Sequence, residues 1–216
     1  MSWKRARKPE HKQIRRQAIL DAAAALLMEN RAEDVSLNAI ARHSGLSKSN
    51  LYRYFGSREA VLLSILRDDI AEWIADMTSK VGGLGPEADA TEIGTLLADC
   101  LVSRPRLIML AGQLTSVIER NVSADDLLSF KLDIKASASQ SAQAIAKAIP
   151  GLSPEDAHKL GFYQLVLLQG LWPLAHPPEV MQEVMTHPEL AGMHVSFYDA
   201  LRDALTAILR GMLVGP

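Results

Sequence analysis

A glycine at position 45, set between two short apolar helices that each begin at a serine, limits the fold of this 216-residue chain more than any other feature. The segment is VSLNAIARHSGLSKSNLYRYFGSR, residues 35–58. Ser36 places a hydroxyl where it can accept from the free amides of a first turn, and Leu37, Ile40 and Ala41 follow at helical spacing. Gly45 stands where the chain must reverse, in a left-handed conformation that a side chain would penalise, with Leu46 as an apolar plug under the turn. Ser47 then caps a second helix in which Leu51 and Phe55 are i, i+4 on the buried face. Lys48, Ser49, Asn50, Tyr52, Arg53 and Tyr54 are left on the outer face, a hydrogen-bonding surface suited to DNA.

Apolar spacing elsewhere predicts about nine or ten helices and no strand, so the expected class is all-α. Ile14, Ala18, Ala22 and Leu26 are expected to line the inner face of a first helix that braces the two reading helices. Ser57 can cap a longer helix carrying Val61, Leu62, Ile65, Leu66, Ile70, Trp73, Ile74 and Met77 toward the breaker GGLGP at residues 82–86. Ile93, Leu96, Leu97 and Leu101 suggest one helix, and Pro105 begins another expected to hold Leu107, Leu110, Leu114, Val117 and Ile118. Ser123, with Asp125 and Asp126, marks the start of a long helix stopped by Pro150. Ser153, Pro154, Glu155 and Asp156 mark another, expected to stop at Pro173. A final helix starts near Ser196 and carries Phe197, Leu201, Leu205, Ile208 and Met212.

A net charge of −2 conceals a polar distribution along the chain. Residues 1–58 carry twelve Lys and Arg against five Asp and Glu, and residues 59–216 carry eleven against twenty. A basic end gains affinity for a polyanion by releasing the counterions condensed on phosphates, and the acidic remainder argues against general coating of nucleic acid. Lys4, Arg5, Arg7, Lys8, Lys12, Arg15 and Arg16 crowd around the start of the first helix, readable either as a solvated tail or as an arm that follows phosphates or enters a minor groove. The hydrophobic fraction of 48% without an apolar run of membrane-spanning length, the absence of a secretion-signal core at the start, and a single cysteine, Cys100, together predict a soluble cytoplasmic protein. Cys100 lies among Leu96, Leu97 and Leu101 and reads as a packed thiol.

With Ser36 ahead of IA, then GLS at residues 45–47, LYRYF at 51–55 and SRE at 57–59, the segment resembles the DNA-binding domain of TetR-family transcriptional regulators over roughly residues 12–66. The resemblance implies a helix-turn-helix domain over residues 1–58, extended to about 80 by a connecting helix, and a helical regulatory and dimerisation domain over residues 81–216. It implies that the second reading helix enters the major groove of a palindromic operator in double-stranded DNA. Lys48, Ser49, Asn50 and Arg53 are then the candidates for base edges, since Asn can bond adenine and Arg or Lys guanine. Ser36, Asn38, Tyr52, Tyr54 and Arg58 are assigned mainly to phosphates, Ser47 completes the DNA-binding set, and Arg58 stands where the family more usually has lysine. The tyrosine rings can equally pack against the bracing helices.

The same resemblance implies a homodimer paired through the helices at residues 153–172 and 196–213, although Leu160, Leu168, Leu201 and Leu205 can equally face their own core. It also implies a pocket for a small, largely apolar effector that releases the repressor from its operator. Trp73, Met77, Met109, Gln113, Phe130, Phe162 and Trp172 are the candidate lining, residues that at helical spacing also read as plain core. No metal, cofactor or catalytic residue is expected: the chain has no His-x-x-x-His pair on a helix, no Cys-x-x-Cys and no Gly-x-Ser-x-Gly elbow, and Gly82, Gly83 and Gly85 lack the Lys of a phosphate loop. His158 and His176 read as surface or core residues. The rival readings are a DNA-binding regulator controlled by a protein partner, and a non-DNA enzyme on a helical scaffold.

Overall fold

The computed structural model describes residues 3–213, with side chains from His11 onward apart from Ala191. The described residues form ten α-helices and no strand, in agreement with the all-α expectation. They are α1 (Trp3–Glu29), α2 (Leu37–His43), α3 (Lys48–Leu51), α4 (Arg58–Gly82), α5 (Ala90–Val102), α6 (Pro105–Gly112), α7 (Ala124–Ala148), α8 (Pro154–Ala175), α9 (Glu179–Val184) and α10 (Phe197–Leu213). Two compact units divide the chain. One takes the chain up to Asp68 together with Leu114–Lys131; the other takes Asp69–Gln113 together with the chain from Leu132.

In the first unit, Ile19, Leu20, Ala22, Ala23 and Leu27 form the buried arc of α1, and Ile40, Ala41, Leu51, Phe55, Val61, Leu62, Ile65 and Leu66 fill the rest of its core. The bracing face is therefore rotated from the expected row. Ile14 is 64% exposed, Ala18 is exposed and Leu26 is half-buried. A step of four residues overshoots one helical turn by about 40°, so a strict i, i+4 row winds off the buried side while a 3.6-residue stripe stays on it. Arg16 ties α1 to α4: its Nη2 donates to Ser64 Oγ at 3.1 Å, and its guanidinium lies 5.0 Å from the centroid of the Phe55 ring.

Two expected helix ends fall elsewhere. The helix begun at Pro105 stops at Gly112, and Leu114–Ile118 forms a separate π turn followed by a short 3-10 turn at Glu119–Asn121. A π turn spends an extra residue per turn, so the helical spacing expected to run from Leu107 to Ile118 is broken within Leu114–Ile118, although both of its ends stay buried. Conversely, α8 runs through Pro173 to Ala175. A proline in a last turn forfeits a single amide, and the end is still closed because His176 N donates to Trp172 O at 3.0 Å.

The second unit buries Ile93, Leu97 and Leu101 of α5, Leu160 and Leu168 of α8, and Leu201, Leu205 and Leu209 of α10. Gly94 lets α5 and α10 approach closely: a Cβ added there would stand 2.4 Å from Thr206 Oγ. Asp89 opens α5 with a capping box, accepting from Thr91 N at 2.7 Å and Glu92 N at 2.9 Å while Glu92 Oε2 accepts from Asp89 N at 3.1 Å. Buried Asp69 accepts two hydrogen bonds from Arg106, a forked pair that leaves neither charge alone. Asp76 accepts from Lys80 and from Arg104, both at 2.9 Å, and those hydrogen bonds hold its carboxyl below the usual range. Cys100 is buried as expected of a packed thiol, and burial pushes its pKa up, away from thiolate chemistry.

Candidate nucleic-acid interface

Both reading helices begin as their serines dictate. Ser36 Oγ accepts from Ala39 N at 3.2 Å at the head of α2, and Ser47 Oγ accepts from Asn50 N at 3.3 Å at the head of α3. Between them α2 ends in a Schellman motif: Gly45, at φ +68°, donates to Arg42 O at 3.2 Å, and Leu46 N donates to Ala41 O at 3.0 Å. The left-handed glycine thus turns the chain while satisfying two carbonyls that the helix end would otherwise leave open.

α3 is one α-turn long and tightens at once, with Arg53 N on Asn50 O at 3.1 Å and Tyr54 N on Leu51 O at 2.9 Å. Leu51 and Phe55 anchor it in the core. The opposite side carries Lys48, Ser49 and Arg53 exposed and Asn50 half-buried. Ser49 shares a hydroxyl contact of 3.1 Å with Ser47, whereas the side chains of Lys48, Asn50 and Arg53 make no internal hydrogen bond or ion pair among the described residues. Three strong donor groups thus face solvent from a helix whose backbone is fixed at both ends. Asn38 is exposed on α2, Tyr52 is 49% exposed, and Tyr54 is half-buried.

Arg58 has a different occupation from the expected phosphate contact. Its Nε donates to Val35 O at 2.7 Å, its Nη2 to Ala32 O, and its Nη1 to Glu59 Oε1 at 3.1 Å. All three nitrogens are engaged inside the head, where they satisfy carbonyls of the turn that precedes α2. The signal sequence reasoning lacked was the location of those carbonyls, 23 and 26 residues upstream.

Other head contacts went unforeseen. Ser57 caps α4 by accepting from Ala60 N at 3.1 Å, as expected, and its hydroxyl also donates to Asn121 O at 2.9 Å. Of the basic arm, Lys4, Arg5, Arg7 and Lys8 lie outside the described side chains, Lys12 and Arg15 are exposed, and Arg16 is the structural tie described above. Burial, then the nearby Arg67, lower the pKa of Arg16.

The candidate effector lining divides. Trp73 and Met77 are buried, and Met109, Gln113 and Trp172 half-buried, all in the second unit. Trp172 rests on Gly112, where a Cβ would meet its ring at 2.9 Å. Phe162 is 59% exposed and so does not line an enclosed space. Phe130 belongs to the first unit, where it borders a cavity of about 150 Å³ with Arg16, Tyr54 and Ser129. Leu160, Leu168, Leu201 and Leu205 all face their own core. The exposed apolar face of α8 is instead Phe162, Tyr163, Val166 and Leu174. No group of three or more His, Cys, Asp or Glu capable of holding a metal occurs among the described residues, and no described helix is long and apolar enough to cross a membrane.

Residues 19–65 match the family described as bacterial regulatory proteins, tetR family, and residues 67–216 match the one described as tetracyclin repressor-like, C-terminal domain. An uncharacterised HTH-type transcriptional regulator of Mycobacterium tuberculosis is 41% identical over 59 residues, which is 27% of this chain and only 28% of that protein's length. A TetR transcriptional regulator from Rhodococcus sp. RHA1 superposes with a TM-score of 0.56 at 17% identity, covering 94% of this chain and 98% of the other. The regulator FadR from Bacillus subtilis, crystallised with stearoyl-CoA, superposes with a TM-score of 0.53 at 18% identity over 90% of this chain and 98% of its own. At these identities the likeness is one of fold.

Proposed function

This chain belongs to the TetR family of bacterial transcriptional regulators, and from that premise we propose that it is a homodimeric repressor released from a palindromic operator by a small, largely apolar effector. DNA reading is assigned to residues 1–58, continued to about 80 by α4, and sensing and dimerisation to residues 81–216. Lys48, Ser49, Asn50 and Arg53 read bases, while Ser36, Asn38, Ser47, Tyr52 and Tyr54 position the head on phosphates. Arg58 is assigned to holding the head together rather than to DNA. The observation that carries this reading is α3 itself: anchored inward by Leu51 and Phe55, capped by Ser47, and presenting Lys48, Asn50 and Arg53 with no internal partner among the described residues.

A single head makes few contacts, and two linked heads gain from effective concentration, so a second copy is part of the reading. Its docking face is assigned to Phe162, Tyr163, Val166 and Leu174 of α8, apolar side chains that the protomer leaves in water. The effector acts by population shift, binding the two spacings of the paired heads with unequal affinity. Cytoplasmic residence follows from a role on DNA. Selection of genomic fragments by the purified protein at moderate salt, repeated with Lys48, Asn50 and Arg53 changed to alanine, is the test. A palindrome enriched by the native protein and lost with the variant supports the reading. Failure to enrich any sequence overturns it.

A further inference from the structure

The second unit buries two hydrogen-bond donors that lack an adequate acceptor, and we propose that they recognise a neutral carbonyl oxygen on an otherwise apolar effector. The inference rests on the ligand-responsive reading above. Trp73 of α4 is 7% exposed, and its indole Nε1 is buried without a hydrogen-bond partner among the described residues. One turn along the same face lies Met77, whose Sδ accepts from Gln164 Nε2 of α8 at 3.7 Å. Gln164 is 1% exposed, so that amide gives one of its N–H groups to a thioether, among the weakest acceptors a protein offers.

Buried polar groups are ordinarily paired, so a buried donor without a protein partner favours an acceptor beside it. An indole can only donate, so that partner must accept. Its charge follows from the neighbours. Arg106 is committed to Asp69, and Arg104 and Lys80 to Asp76, along the same stretch of α4. A carboxylate would enter beside cations already committed to Asp69 and Asp76, at a large desolvation cost. A ketone, ester or lactone oxygen would take the Trp73 N–H and draw the Gln164 amide from sulfur to oxygen without importing charge. Met77, and the half-buried Met109 on α6, are pliable enough to repack around an alkyl body.

The test uses the full chain labelled with 15N-tryptophan, its Trp73 indole resonance identified by its loss in Trp73→Phe, and three probes of equal length: 2-nonanone, nonanoate and nonane. The expected result is that 2-nonanone moves the Trp73 indole proton downfield and raises Tm. Trp73→Phe and Gln164→Leu should each weaken its binding by about tenfold, as for one lost hydrogen bond, with the Tm shift of each variant read against that variant's own ligand-free Tm. An unmoved indole resonance in the presence of 2-nonanone overturns the proposal. If nonanoate or nonane then still stabilises the protein, only the carbonyl assignment falls and the effector reading stands. If none of the three does, both lose their support.

Discussion

Arg58 shows how one side chain can carry a family's sequence signature and a private structural task. Its three nitrogens hold the carbonyls of Ala32 and Val35 and the carboxylate of Glu59. Arg58→Ala is therefore expected to destabilise the protein by about 2 kcal/mol in urea unfolding, the worth of hydrogen bonds from a charged donor. Operator affinity should fall for every sequence alike while the slope of log K against log salt stays unchanged. A slope reduced by about one unit would return Arg58 to the phosphates. Asn50 behaves in the opposite way, since its half-buried amide has no internal partner among the described residues. Asn50→Ala should leave unfolding nearly unchanged and cost about 1–3 kcal/mol at a single operator position, relaxing base choice there. An unchanged base profile in a substitution scan of the operator would end its assignment to base reading.

At the scale of elements, the helix starts were legible because a cap is a local event. Ser36, Ser47, Ser57, Ser123 and Ser153 each accept from an amide three residues on, a relation written within four positions of sequence. Which side of a helix is buried is not local. α1 offers alanines and leucines on several sides, and its partners, not its own period, choose the arc through Ile19, Ala23 and Leu27. The meeting of α5 and α10 was equally invisible, because Gly94 and Thr206 lie far apart in the chain. Gly94→Ala should lower stability by about 1–3 kcal/mol through overpacking, read as a drop in Tm. Adding Thr206→Ala should recover only part of it, since Thr206 N and Cα would still stand 3.0 and 3.1 Å from the new methyl. Full recovery would show that the hydroxyl alone sets the approach.

For the whole molecule, the N-terminal helix-turn-helix part was foreseeable from motif and charge, whereas the C-terminal part was foreseeable only as helices. Phe162 illustrates the difference: its spacing fits a pocket wall as well as an outer face, and the fold puts it outside with Val166. If the proposed dimer pairs through this face, Val166→Arg should convert it to monomer in sedimentation at micromolar concentration, without lowering the monomer's Tm. Operator affinity should fall on the order of a hundredfold or more as the second head is lost. A variant that still sediments as a dimer would move the contact away from α8. The unpartnered indole of Trp73 has a further, optical consequence. Buried, with its N–H unbonded among the described residues, that ring should emit to the blue of a solvated tryptophan, while Trp172, stacked 3.6 Å from the imidazole of His176, sits beside a potential quencher. The regulator thus carries a native chromophore at the place where its effector is proposed to bind, and the colour of its fluorescence can report occupancy without any added dye.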